Sequence, residues 1–374
     1  MKTIGLVHAI FLFLTICWAT TLHAQSTSRP TDRARITVQS VPDALGGGKP
    51  LKVLRTDAST PLRAGAVWLF KAGTVNDERN ATAKDPAFYR KMRAAGLNAV
   101  RLIQFEVWFQ SDAPEKTTRY TDFTKPKECA ALLANIETVI NLASAEGLYV
   151  ILNAHTKLRS YDDAYTRAFW TVVAPQFKDR THVIYELTNE PLGDLANYYE
   201  NETFLDQQQS LYSLVRGLAP ATHQQLLSVN GIWARFGGED VLKMVADKFE
   251  ARKPGNIDWR NTSVAYHLYY NGHTSARLRA LHAAYPGFSG ENNFAYDGVV
   301  PSGVREDDTA RSESMDVPFE DRTRFANETC ERLGIGWAHW HLENHAKFDA
   351  NWPLLRADAE AKGYLWTRDP VKVR

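Results

Sequence analysis

Cysteine is scarce in this chain, with three in 374 residues. That excludes a disulfide framework and the small stapled scaffolds that depend on one. Cys17 falls within an N-terminal apolar run, which leaves Cys129 and Cys330. Both sit in helical patterns far apart in sequence. A bridge between them is open but not required, and no Cys-x-x-Cys pair marks a structural zinc site. An excess of charge of either sign is also missing. The 44 basic and 43 acidic residues leave a formal charge of +1, so bulk electrostatics offer nothing to nucleic acid or an anionic membrane. Any partner has to be recognised locally. After residue 18 no apolar stretch approaches the roughly 20 residues of a spanning helix, so no membrane partner is expected. No Gly-x-Gly-x-x-Gly follows the first strand-like segment, which argues against a dinucleotide-binding doubly wound sheet.

What is present is an ordinary globular composition, 44% apolar, 23% charged and 11% aromatic. It suffices for one large domain or two medium ones. Ten Trp and fifteen Tyr are many for this length; aromatic faces stack on sugar rings, and they also fill cores. At the N-terminus Lys2 precedes an apolar run over residues 4–18, and small Ala24 follows. This is the pattern of a secretory signal peptide over residues 1–24, with the mature chain starting at Gln25. The competing reading, a membrane anchor, needs a longer run, and a lipoprotein site at Cys17 is opposed by bulky Ile16 just before it. The expected product is a secreted monomer, extracellular or periplasmic. Sequons at Asn80, Asn201, Asn261 and Asn327 matter only in a glycosylating host.

Residues 25–60, rich in Ser, Thr, Pro and Gly, read as a leader with an irregular or strand-like prelude. From residue 61 to 374 one rhythm takes over. Short β-type apolar runs lie at 63–70, 98–103, 148–153, 182–187, 225–230 and 263–269, with a weak seventh at 287–290 and an eighth at 335–340. Helical patterns fall between them, for example at 86–95, 128–145, 204–218 and 318–333, and Gly96, Gly147 and Gly334 supply stops. Eight strands alternating with helices imply parallel pairing and right-handed crossovers. They fit a closed (β/α)8 TIM barrel, a single α/β domain, better than an open sheet. The polar stretch 292–316 reads as a loop on the active-site face.

In such barrels the working residues stand where strands end. That rule selects Arg101, His155, Asn189, Glu190, His267, Tyr269, Glu291 and Trp340. Two carboxylic acids, after the fourth and seventh strands, are what glycoside hydrolysis needs: one protonates the leaving oxygen, the other attacks or activates water. The run 183–191, Val-Ile-Tyr-Glu-Leu-Thr-Asn-Glu-Pro, resembles the fourth-strand signature of glycoside hydrolase family 5, the cellulase-like enzymes of clan A. Residues 96–101 (Gly-Leu-Asn-Ala-Val-Arg) resemble that family's second strand, 146–155 its third, and His267-Leu-Tyr269 its sixth. The likeness covers about residues 63 to 340, and it is weakest at Gly290-Glu291, where no long apolar run leads in.

The resemblance implies a retaining β-glycosidase with Glu190 as acid/base and Glu291 as nucleophile, their carboxyls about 5–5.5 Å apart. Arg101 would keep Glu291 ionised, Tyr269 would hydrogen-bond it, and His267 would tune Glu190. Asn189 would hold the sugar 2-hydroxyl, and Trp340 would floor the site. No metal and no cofactor is implied. The expected partner is a carbohydrate, a β-glucan or related glycan cut in the endoglucanase style, with β-mannan and exo-acting glucosidase chemistry as alternatives. The stretch after His155 and the loop 292–316 are unlike those of typical cellulases. Trp68, Trp108, Trp233, Trp259 and Tyr270 are candidate sugar platforms. Several of these residues have plainer readings. Glu190 followed by Pro191 also suits a helix start, Glu186 suits a buried polar layer, and Glu343 is the fallback nucleophile. His339-Trp-His341 has metal-binding alternation, but if Trp340 faces the pocket both histidines turn away from it. A barrel that binds sugar without turnover is the rival from another class.

Overall fold

The computed structural model describes residues 31–46, 48–71, 77–104, 121–155, 161–191, 200–229, 241–252, 256–268, 275–292, 328–340, 342–361 and 363. Eight parallel strands close on themselves as a (β/α)8 barrel. In chain order they are β3 (Arg63–Leu69), β4 (Ala99–Gln104), β5 (Tyr149–Ala154), β6 (Val183–Glu186), β7 (Gln225–Ser228), β8 (Thr262–Leu268), β9 (Gly287–Asn292) and β10 (Gly336–His339). The ring closes where Ala338 of β10 pairs with Ala64 of β3. Each expected strand is present, its ends displaced by at most two residues. The helices between them are α1 (Asp77–Ala83), α2 (Pro86–Ala94), α3 (Pro126–Ala145), α4 (Asp163–Phe177), α5 (Glu202–Leu218), α6 (Val241–Arg252), α7 (Ser275–Ala284), α8 (Glu328–Leu333) and, after β10, α9 (His345–Ala361).

The barrel strands are buried on both faces, because helices cover the outside and side chains fill the inside. Outward residues such as Val67, Val100, Leu152 and Tyr185 join the helices' Phe88, Met92, Ile136 and Val173 in one large core. Inward, Ala64, Ala99, Ala265 and Ala338 alternate with Tyr149, Ile151, Ile184, Leu226 and Phe288 in a second. Small and large residues fill the lumen together, so this is a packed interior and not a channel. The helices begin and end where local chemistry dictates. Asp85, Asp162 and Asn201 cap α2, α4 and α5 by accepting backbone N–H bonds. Gly96, Gly147 and Gly334 follow their helices with positive φ, as a left-handed stop requires.

The segment ahead of the barrel closes its lower end. An antiparallel hairpin, β1 (Thr37–Val41) and β2 (Leu51–Arg55), joins the sheet at Val53 beside Gly287. Ile36, Leu54 and Leu62 seat in the inner core. Ahead of them Asp32 is fully buried and accepts from Arg180 Nε at 2.7 Å, Arg180 Nη2 at 2.9 Å and Ser144 at 2.6 Å. Burial alone would raise its carboxyl, but His182 and Arg180 hold it well below the usual range. Cys129 and Cys330 are both buried and form no disulfide with one another. The open question of a bridge is thus answered in the negative, since their helices α3 and α8 lie on separate parts of the ring.

Candidate active site

The site is built from the strand ends upward. Arg101 on β4 and Glu186 on β6 point into the lumen one layer above the apolar plug, each 1% exposed. Arg101 donates from Nε to Glu186 Oε2 at 2.6 Å and from Nη2 to Glu186 Oε1 at 2.8 Å, a two-pronged pair. Its remaining donors reach Asn189 Oδ1 at 2.7 Å and Glu291 Oε1 at 2.6 Å. One guanidinium therefore ties three strand ends together. Burial would lower its pKa, but the Glu186 and Glu291 carboxylates raise it above the usual arginine value. Glu186 belongs to a buried polar layer, as its strand position suggested.

The turn after β6 aims the next acid. Leu187 N donates to Leu226 O at 3.0 Å, Trp170 Nε1 donates to Leu187 O at 2.9 Å, and Ser228 Oγ donates to Asn189 O at 2.8 Å. Thr188 Oγ1 donates to Gln208 Oε1 at 3.0 Å. Held from four sides, the turn sets Glu190 Oε1 2.5 Å from His267 Nδ1 on β8. Burial first, and Arg101 nearby, bring the His267 pKa down to about 4 although Glu291 and Glu186 pull it up. The imidazole is therefore neutral at neutral pH.

The second acid is aimed by an irregularity. Tyr266 pairs with Ser289, but the next residue, His267, pairs with Glu291, so Gly290 is an extra residue in β9. The same shift appears against β10. Phe288 faces the lumen, and plain alternation from it would turn Glu291 outward. The bulge resets the parity and brings Glu291 beside His267 and Arg101. A side chain at 290 would crowd the site, because its Cβ would lie 3.0 Å from Glu186 Oε1 and 3.3 Å from His267 Nε2 and both would have to give way. Glu291 Oε2 is 3.4 Å from His267 Nδ1. One oxygen of Glu190, one of Glu291 and a His267 nitrogen all lie within 4.8 Å of one another.

At the ends of β3, β5 and β10 the described residues place an aromatic cluster. Trp340, after β10, stacks on His155 at 5.7 Å and 15°, and His155 Nδ1 is 2.9 Å from Asn153 Oδ1. Trp68 lies 5.2 Å from Trp340, with the Arg79 guanidinium 3.9 Å over the Trp68 ring. Trp259 is not part of it. It precedes β8 instead of following a strand, packs 4.7 Å from Tyr285 and donates to Glu250 at 2.9 Å, at the far end of the barrel. Tyr269, Tyr270, Trp108, Trp233, His341 and residues 293–316 lie outside the described residues. Reading the sequence overlooked Arg79, Ser228 and the bulge; a glycine ahead of an acid at a strand end was the available signal for the last.

The family model described as cellulase, glycosyl hydrolase family 5, matches residues 67–345. The chain belongs to glycosyl hydrolase family 5. Endoglucanase E-5 of Thermobifida fusca is 23% identical over 72% of this chain, which spans about half (51%) of that protein's length. Among solved structures, a family 5 cellulase from an Icelandic hot spring isolate is 17% identical, with TM-score 0.54 over 91% of this chain and 99% of its own. An endocellulase of Pyrococcus horikoshii, solved with cellotetraose, is 14% identical, with TM-score 0.52 over 87% and 98%. At these identities the structures speak to the fold alone. Of the eight positions selected by the family 5 resemblance, seven are described: Arg101, Asn189, Glu190, His267 and Glu291 form one linked set at the strand ends, and His155 stacks on Trp340.

Proposed function

We propose that this chain is a retaining glycoside hydrolase acting on β-linked glycans in the endoglucanase style. The observation that carries the reading is the close pair itself. Carboxylate oxygens of Glu190 and Glu291 within 4.8 Å suit the roughly 5–5.5 Å carboxyl spacing of a retaining pair better than the roughly 6.5–9.5 Å that an inverting mechanism uses to admit its water. The environments of the two acids also differ. Arg101 neutralises Glu291 through Oε1, and Oε2 on the Glu190 side is the attacking oxygen. Glu190 shares a short hydrogen bond with neutral His267. Three buried carboxylates face one guanidinium here, so a proton held by the Glu190–His267 pair lowers the net buried charge.

In the first step Glu190 gives its proton to the glycosidic oxygen while Glu291 bonds the anomeric carbon, and the bond to the leaving sugar breaks. In the second, Glu190 takes a proton from water, which displaces Glu291 and restores both groups. Asn189, oriented by Arg101, meets the sugar 2-hydroxyl, and Tyr269, outside the described residues, is the proposed hydrogen-bond donor to Glu291. Trp340, braced by His155, floors the reacting sugar. In this reading residues 1–24 direct export, and the secreted protein works as a monomer from residue 25 on.

The test is a panel of β-glucan, β-mannan and xylan assayed for new reducing ends. Wild type should cleave at least one, and Glu291→Gln should lose at least about a thousandfold in kcat. Glu190, His267 and Glu291 also have the spacing of a cation site. Full activity in excess chelator separates the two readings, since a metal-dependent hydrolase would stop. If wild type cleaves nothing on the panel but binds one glycan, the sugar-binding barrel replaces the hydrolase.

A further inference from the structure

We propose that Glu343 forms a second carbohydrate-binding point beside the catalytic pair, accepting hydroxyl hydrogen bonds from a sugar unit next to the reacting one. The inference rests on the glycan reading above and names a specificity-determining residue within it. Glu343 follows Trp340 by three residues, at the entry to α9. It is 5% exposed, no more sheltered than Glu190 at 5% and Glu291 at 3%. Yet it belongs to neither hydrogen-bond set of the pair. One carboxyl oxygen is held by its own backbone N–H, and Oε2 has no hydrogen-bond partner among the described residues.

A buried carboxyl oxygen left unpaired costs stability, and such costs persist at sites where a ligand supplies the missing donor. Arg79 and Lys347 are the cations that act on Glu343. Arg79 is also the guanidinium lying on Trp68, 5.2 Å from Trp340. Through Arg79, Glu343 is thus linked to the aromatic pair of Trp68 and Trp340. Aromatic faces with a few placed polar groups are the chemistry that receives a sugar ring and its hydroxyls. Burial raises the carboxyl's pKa against the pull of Lys347 and Arg79, and in either protonation state Oε2 can accept from a hydroxyl.

The experiment compares wild type, Glu343→Gln and Glu343→Ala on cellotetraose and mannotetraose, with thermal midpoints measured alongside. On whichever tetrasaccharide wild type cleaves, Glu343→Ala should lose roughly 10- to 100-fold in kcat/KM, carried by KM. Glu343→Gln, which keeps a carbonyl acceptor, should fall between. Neither variant should lower the thermal midpoint, because no folded-state partner of Oε2 is lost. Unchanged KM in Glu343→Ala overturns the inference while leaving the hydrolase reading intact. A fall in kcat with a lowered midpoint also overturns it, by showing a structural role. If wild type cleaves neither tetrasaccharide nor any glycan of the panel, the hydrolase reading itself fails.

Discussion

Arg101 is where the chemistry of the site is most concentrated. Its guanidinium compensates Glu186 and Glu291 in a lumen it shares with almost no water, being 1% exposed. Arg101→Met should therefore cost about 3–5 kcal/mol of stability, as removal of one partner from a buried ion pair does, together with most of the activity. Denaturant unfolding and kcat on the preferred glycan check this. Lysine should not rescue it, since a single ammonium cannot serve both oxygens of Glu186 and still reach Glu291 and Asn189. At this scale the sequence was readable wherever a polar residue stood at a strand end, as with Glu190 after a run of apolar ones. The fork from Arg101 to Glu186 was not, because that pairing joins residues 85 positions apart and no local pattern encodes it.

At the scale of elements, β9 shows why a strand can be faint and still decisive. Its neighbours announce themselves by continuous apolar runs because both faces are buried. In β9 the bulge at Gly290 breaks the alternation, and the segment ends on the polar Glu291 and Asn292. The feature that hid the strand is the one that turns its acid inward. Gly290→Val should push Glu186 and His267 from their positions and lower kcat at least about tenfold by misplacing reacting groups, measured against far-ultraviolet circular dichroism to show the barrel intact. Gly217 in α5 is the contrast, since a Cβ there meets nothing within 4 Å. Gly217→Ala should raise stability by up to about 1 kcal/mol with kcat unaltered; a loss of activity would mean that α5 couples to the site in a way its packing does not show.

For the whole molecule, the barrel separates stability below from chemistry above. The closed ring was legible from the strand–helix rhythm, whereas the lower seal was not. Asp32, Arg180, His182 and Ser144 meet from three separate stretches of chain. The buried histidines make a prediction that spans the fold. His267 and His282 are both held down to about 4 by burial, against 6.5 when unfolded. The unfolded chain therefore binds more protons between those values, and stability is full above pH 6.5 and is lost as pH falls toward 4. Thermal midpoints across that range should decline steadily on acidification, and a flat profile would show these rings to be less enclosed than the packing implies. Asp32, held below its usual range, adds its own loss only at more acid pH.

The central claim is that Glu190 and Glu291 act as a close pair. Proton nuclear magnetic resonance of the anomeric signals during the first minutes of hydrolysis tests it most directly. The account predicts that the β-anomer of the new reducing end appears first and converts to α only by slow mutarotation. First appearance of the α-anomer would contradict it, because that is the product of a single inverting displacement, whose two acids stand roughly 6.5–9.5 Å apart.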